Sequence, residues 1–282
     1  MSDGSNNFLL GMGQILVEGG EAAANLKRAW SMVGRAADAG CHIVVLPECL
    51  DLGWTFPGSR DLAQPIPGPH SDVLVESARG AGIYVVAGLV ERSGERIFNA
   101  AILISPAGEI LLKHRKINEL AIAHDLYATG NCLGVAETPL GTIGVDICAD
   151  NFPGSLALGH SLARMGAQLV LSPCAWAVDG DHDNVKQPYG GLWIGSYSQL
   201  AKLYDLTVVG VSNVGWLRAG PWAGRKCIGC SLAVGPGGTI LAQGHYGEAA
   251  EELIVVEVEP RRPLARGTEI AAALAEKGYD GP

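Results

Sequence analysis

The chain has few of the features that direct proteins to nucleic acids or membranes. It carries 20 Lys and Arg against 29 Asp and Glu, a formal net charge of −9, and its longest basic run is His114-Arg115-Lys116. Affinity for a phosphate backbone depends largely on clustered basic side chains, so we expect no nucleic-acid partner. The apolar runs are too short to span a membrane, and the first residues lack a secretory signal's basic start and apolar stretch. These absences predict a cytoplasmic protein without a membrane partner.

A disulfide framework and the common metal motifs are also missing. The seven cysteines are scattered along the chain, as is typical of free thiols in a reducing compartment. Cys227 and Cys230 have redox or metal spacing, but neither a second pair nor a helix at the first cysteine accompanies them. Asp179, Asp181 and Asp183 alternate as in a calcium loop that lacks its glycine and its glutamate. These motifs therefore give no support for a bound metal.

Predicted strands and helices alternate along most of the 282 residues. A strand over 8–17 precedes an amphipathic helix that ends at Gly40, and the apolar strand HIVVLP follows. One face of that helix is predicted to carry Leu26, Trp30, Val33 and Ala37. Further helices are expected near 155–166 and 191–204. Two hairpins are expected, with turns at Pro106-Ala107-Gly108 and at Gly235-Pro236-Gly237-Gly238.

This interleaving of helices, strands and hairpins predicts a single α/β domain whose sheets are covered by helices. Nothing in the sequence marks a boundary between two domains. We expect one domain over 1–282, with an ordered core of about 7–262 and a C-terminal tail of about 263–282.

Three chemically active residues follow apolar strands, where α/β proteins gather their functional groups. Glu48 ends HIVVLPE, Lys116 lies in LLKHRKINEL, and Cys148 follows the alternating run GTIGVDI. A thiol needs a base, which a carboxylate of raised pKa can supply, and an ammonium group can stabilise an oxyanion. The three groups together suit acyl transfer through a thioester.

A pair of cysteine and histidine is an open alternative at this stage. The candidate partners lie at scattered positions without a flanking signature that ties them to Cys148: His42, His114, His124, His160 and His182.

Six segments occur in the order and approximate spacing of the nitrilase, or carbon–nitrogen hydrolase, superfamily, which the chain resembles over almost its whole length. They are HIVVLPE, HRKINEL, GVDICADNFPG, GAQLVLSPCAW, VVGVSNVG and GCSLAVGPGGTILA. The resemblance implies an α/β fold in the form of a four-layer αββα sandwich. It also implies a homodimer or higher homo-oligomer that requires no metal or organic cofactor.

The resemblance further implies a role for each site residue. Glu48 would be the general base, Lys116 would stabilise the tetrahedral intermediate, and Cys148 would be the nucleophile. Many members carry a second carboxylate after the lysine. Glu119 is our preferred candidate, although Asp125 lies closer to the expected place before Gly130.

The residues after the nucleophile indicate the substrate class. Ala149 and Asp150 stand where nitrilases commonly have Trp-Glu. We therefore expect cysteine-dependent hydrolysis of a non-peptide C–N bond in a small amide or N-carbamoyl substrate, through a thioester that releases ammonia or an amine. The alternatives are a nitrilase that acts on a small nitrile and a catalytically weak binding or regulatory scaffold.

Overall fold

Fifteen strands are assigned in the computed structural model, which describes residues 7–262 and 270–279. In chain order they are β1 (Phe8–Gln14), β2 (Ile43–Val45), β3 (Tyr84–Ser93), β4 (Arg96–Ile104), β5 (Ile110–Arg115), β6 (Val135–Thr138), β7 (Gly141–Val145), β8 (Leu169–Cys174), β9 (Ala177–Val178), β10 (Thr207–Ser212), β11 (Val214–Trp216), β12 (Lys226–Ile228), β13 (Leu232–Gly235), β14 (Thr239–Gln243) and β15 (Glu252–Val258). They form two six-stranded sheets, ordered β15-β1-β2-β3-β4-β5 and β14-β13-β10-β8-β7-β6, and a small sheet β11-β12-β9.

Both large sheets contain parallel and antiparallel strand pairs, and helices cover the outer face of each sheet. The α-helices of the described residues are α1 (Ala22–Asp38), α2 (Ser59–Leu62), α3 (Pro69–Ala81), α4 (Ala157–Arg164), α5 (Gly191–Tyr204) and α6 (Ile270–Glu276). Helices α1 and α3 pack on the first sheet, while α4 and α5 pack on the second. The two sheets pack on each other through their inner faces. The fold is therefore the expected αββα sandwich in a single domain.

Strand β4 shows how the sequence produces these layers. Its side chains alternate: Ala100 and Ile102 pack towards α1 and α3, whereas Ala101 and Leu103 pack between the sheets. Successive side chains of a strand point to opposite faces, so a strand covered on both faces must be apolar throughout. This explains the nearly continuous apolar runs of the sequence.

The predicted face of α1 is wrong at one residue. Leu26 and Val33 are buried as expected, but Trp30 is 46% exposed. The buried side of the helix is centred near Ala29 and Ala36. Because each residue turns the helix by about 100°, Trp30 lies at the margin of that side and faces solvent.

The segment expected to form a C-terminal tail contains a packed helix. Leu274 of α6 is buried in the core, and Lys277 forms an ion pair with Asp205 at 3.1 Å. The Tyr279 ring stacks on His160 with centroids 5.1 Å apart. Residues 263–269 and 280–282 of that tail lie outside the described residues.

None of the described helices combines the length and the apolar character that a membrane span requires.

Both predicted hairpins are confirmed, as β4–β5 and β13–β14. Strand β9 of the small sheet was not predicted, because a segment of two residues is too short to show periodicity.

A close approach at Gly88 of β3 fixes the end of β2 that carries Glu48. The Gly88 amide donates to the Pro47 carbonyl at 3.0 Å, and the Gly88 carbonyl accepts from the Leu50 amide at 2.9 Å. A Cβ atom at Gly88 would lie 2.5 Å from the Glu48 Cα atom and 2.8 Å from the Pro47 oxygen. Only glycine lets the two segments approach this closely.

We expect Gly88→Ala to lower the free energy of unfolding by about 1–3 kcal/mol, because the added methyl group forces the backbone at Glu48 to move. Gly34→Ala is the matched control, since a Cβ atom there meets no neighbouring atom of the described chain. It should be neutral or stabilising by about 0.5–1 kcal/mol. Urea denaturation of both variants measures the difference, and equal stabilities would contradict the proposed crowding.

Candidate active site

The three residues that follow β2, β5 and β7 converge on one cavity. Glu48, Lys116 and Cys148 all line a space of about 530 Å³. Their residues are 1%, 2% and 9% exposed, respectively. The backbone amide of Glu48 also donates to the carbonyl of Cys174 at the end of β8, at 3.2 Å, which connects the two sheets beside the cavity. The packing of the sheets thus brings together groups that are far apart in the sequence.

Lys116 lies between two carboxylates. Its Nζ atom is 2.7 Å from Glu48 Oε1 and 3.4 Å from Glu119 Oε1. Asn99 of β4 donates to both acids, at 2.6 Å to Glu48 and 3.1 Å to Glu119. Asn99 was not among the predicted site residues, although a polar residue within the apolar run FNAAILI was a usable signal.

Of the two candidates for a second carboxylate, the structure places Glu119 beside Lys116. Glu119 is 6% exposed, whereas Asp125 is an exposed residue. Asp125 accepts a hydrogen bond from the Arg60 side chain, but through its backbone carbonyl and not through its carboxylate. The three-residue spacing from Lys116 lets the Glu119 side chain turn back towards the ammonium group.

Cys148 lies in a strained turn after β7. It begins a short 3₁₀ segment, Cys148–Asn151, with a φ of 45°, in the left-handed region that residues other than glycine rarely adopt. The Cys148 amide donates to Ser172 Oγ of β8 at 2.9 Å. Neighbouring strands therefore hold the strained turn that presents the thiol to the cavity.

Asp150 connects this turn to the loop that carries Lys116. Its Oδ1 atom accepts from the amides of Ile117, at 3.1 Å, and Asn118, at 2.7 Å. Its Oδ2 atom accepts from the Ile147 amide at 3.0 Å and lies 2.8 Å from His114 Nε2. With both oxygens engaged and the residue fully buried, Asp150 acts as a structural link. From the sequence, Asp150 was interpreted only as an indication of the substrate class, and this linking role was not predicted.

The electrostatics of the cluster follow from its burial. Burial raises the pKa of the Glu48 carboxyl, while Lys116 acts in the opposite direction. Burial also raises the pKa of the Cys148 thiol well above its usual value, and the adjacent Cys174 thiol adds to this. Burial alone would lower the pKa of Lys116, but Glu48 and Glu119 raise it well above the usual range. The site therefore combines a permanent cation, a neutral thiol and a carboxyl group of raised basicity.

The histidine alternative gains no support from the geometry. His182 lines the cavity, but no hydrogen bond joins it to Cys148 within the described residues. His114 is engaged by Asp150 instead. Glu48 remains the candidate base.

The other cysteines divide into one exposed and five buried thiols. Cys132 is exposed, so it will react with alkylating reagents whatever the state of Cys148. Burial raises the pKa of Cys227 to about 12 and that of Cys230 to about 11. Neither of these two thiols lines the cavity that contains Glu48 and Lys116. In the described part of the chain, no group of three or more side chains could hold a metal ion.

Comparison with known proteins identifies the family. A family model for carbon-nitrogen hydrolases matches residues 10–262. The chain belongs to the carbon-nitrogen hydrolase family. It is an enzyme of the nitrilase superfamily, as the ordered motifs around Glu48, Lys116 and Cys148 had indicated.

Two curated relatives illustrate the range of this family. This carbon-nitrogen hydrolase is 30% identical over 246 residues to a nitrilase of Pyrococcus abyssi. The alignment covers 85% of each chain. It is 35% identical over 164 residues to the omega-amidase NIT2 of Danio rerio, covering 55% of this chain and 58% of the relative. The omega-amidase alignment thus spans less than two thirds of the relative's length.

Solved structures agree with the fold. An amidase from Nesterenkonia sp. superposes with a TM-score of 0.76 at 22% identity, covering 92% of both chains. Nit3 of Saccharomyces cerevisiae, a member of the nitrilase superfamily, gives a TM-score of 0.76 at 25% identity, covering 90% of both. The architecture is shared although most side chains differ.

Asp146, two residues before Cys148, is a buried group that titrates near neutral pH. Burial raises its pKa to about 7, and the charge of Asp150 adds to the effect. Its Oδ1 atom accepts from Asn151 Nδ2 at 2.7 Å, a bond that an asparagine at this position could also accept.

We expect Asp146→Asn to remove a pH-dependent loss of stability. Between about pH 4 and pH 7 the folded chain holds a proton on Asp146 that the unfolded chain has lost, so the free energy of unfolding falls as pH rises. The variant lacks this titration. Urea unfolding at about pH 5 and pH 8 should show the parent losing stability relative to the variant, and a constant difference between them would refute the assignment.

Proposed function

We propose that this carbon-nitrogen hydrolase cleaves a non-peptide C–N bond in a small amide or N-carbamoyl substrate, through a thioester on Cys148, and releases ammonia or an amine. The observation that carries the proposal is the 2.7 Å contact between Lys116 and Glu48 in the cavity that Cys148 lines. The candidate base, the cation that would stabilise an oxyanion and the candidate nucleophile therefore line the same cavity.

In the first half-reaction, Glu48 accepts the proton of Cys148 as the sulfur attacks the substrate carbonyl carbon. Proton transfer must accompany the attack, because the buried thiol has a raised pKa and does not ionise by itself. Lys116 stabilises the negative charge that develops on the oxygen. Glu48 then returns the proton to the departing nitrogen, the C–N bond breaks and the thioester remains.

In the second half-reaction, Glu48 takes a proton from water while the water oxygen attacks the thioester carbonyl. Lys116 again stabilises the oxyanion. The C–S bond breaks, the proton returns to the sulfur, and the acid product leaves. The raised pKa of Glu48 suits a group that must both accept and donate a proton in each cycle.

Glu119 and Asn99 position the cation and the base. Glu119 pairs with Lys116 as a second carboxylate, and Asn99 links the two acids by donating to both. Homo-oligomeric assembly remains what the family resemblance implies, and a cytoplasmic location remains a prediction from the sequence.

Cys148→Ala should abolish the release of ammonia from small amides, because Cys148 is the only thiol among the described residues that line the cavity. Cys132→Ala removes the exposed thiol and is the matched control, which should keep full activity. Mass spectrometry of the stopped reaction should find the acyl adduct on Cys148. Ammonia release by the alanine variant would refute the mechanism, and consumption of a nitrile in preference to its matching amide would establish a nitrilase instead.

Glu119→Gln should lower kcat/KM by about 10- to 100-fold, because Lys116 loses one of the two carboxylates that position it. Asp125→Asn makes the same change of charge on the exposed alternative and should leave kcat/KM unchanged. Steady-state kinetics of the two variants separate the candidates. Equal losses, or a larger loss for Asp125→Asn, would show that the assignment to Glu119 is wrong.

A further inference from the structure

The cavity that Cys148 lines has an aromatic wall over part of its surface. The aromatic side chains that line it are Trp54, Phe152, Trp176, Tyr189, Trp193 and Trp222. These account for four of the six tryptophans in a chain whose aromatic content is only 6%. Such a concentration of flat apolar surface at one cavity indicates a binding function.

The rings form two packed groups on different parts of the fold. Trp54, which follows β2, packs edge-on against Trp222 with centroids 4.8 Å apart. Trp193 of α5 stacks on Trp176 at 4.8 Å and 20°, and contacts Phe152 at 5.3 Å. Lys116 Nζ lies 5.9 Å from the Trp54 ring, so the aromatic wall begins beside the reacting groups.

The charges of the cavity disfavour an anionic substrate. Lys116 is the only Lys or Arg among the described residues that line it, and two carboxylates already hold that ammonium group. The other polar side chains of the wall are His182, Gln187 and Tyr189, which carry no permanent positive charge. A substrate carboxylate would lose its hydration without gaining a free cation, which is costly.

We propose that the acyl part of the substrate is an uncharged, flat aromatic group, so that the enzyme prefers primary amides such as phenylacetamide. This rests on the proposed function and narrows it. Aromatic rings gain free energy from stacked and edge-on contacts beyond the burial of their area, and the wall offers rings for both. Substrates with a free carboxylate, N-carbamoyl amino acids among them, are disfavoured by the same cavity.

The test measures binding separately from turnover. Calorimetry with the Cys148→Ala variant compares phenylacetamide with succinamate, which carries a carboxylate, and with butyramide, which is neutral but not aromatic. We expect phenylacetamide to bind at least about 10-fold more tightly than succinamate, and more tightly than butyramide. Succinamate binding as tightly as phenylacetamide would overturn the inference.

A second variant tests the wall itself. Trp222→Leu, at a partly buried position, should weaken the binding of phenylacetamide by about 3- to 10-fold and that of butyramide by less. Trp30→Leu removes an exposed tryptophan on α1, outside the cavity, and should change neither affinity. Equal weakening of both amides by Trp222→Leu would argue against an aromatic subsite.

Failure of the wider proposal would look different. Tight binding of phenylacetamide by Cys148→Ala, with no ammonia released from any amide by the unaltered chain, would support the aromatic subsite and refute the proposed hydrolysis. Ammonia release from succinamate at a higher kcat/KM than from phenylacetamide would support hydrolysis and refute the aromatic preference.

Discussion

The buried ion cluster around Lys116 is the constraint on which the rest of the site depends. An ammonium group that is only 2% exposed is tolerated because Glu48 and Glu119 lie within ion-pair distance, with Asn99 donating to both acids. A buried charge without its partner is strongly destabilising, so each member of the cluster is needed to hold the others. The same cation that balances the two acids is available to balance an oxyanion.

The sandwich supplies the rigid frame that this cluster requires. Glu48 follows a strand of the first sheet and Cys148 a strand of the second, and the hydrogen bond from Glu48 to the Cys174 carbonyl joins the two sheets. Asp150 fixes the loop of Lys116 to the turn of Cys148. Catalysis of this type depends on holding groups within a fraction of an ångström, and these contacts are mostly made through backbone atoms, which move little.

The cavity combines a pair of charged groups with an aromatic wall. The charged groups are Glu48 and Lys116, which exchange partners in the proposed mechanism. The aromatic wall is the surface that the proposed substrate preference uses. Water excluded by the aromatic wall would strengthen the electrostatic contacts at Lys116, since charges interact more strongly in a medium of low dielectric constant. The proposed substrate preference and the proposed stabilisation of the oxyanion thus depend on one set of lining residues.

The amino-acid sequence was sufficient to predict the alternation of helices and strands and the strand-end positions of Glu48, Lys116 and Cys148. Its ordered motifs also indicated the family. These features are local, because periodicity and strand ends are properties of short segments. The folded chain was needed to show that Glu119 rather than Asp125 lies beside Lys116, that Asn99 donates to both acids and that Trp30 faces solvent. The aromatic wall also emerged only from the fold. Such contacts join residues distant along the chain, and their geometry is set by the packing of whole layers.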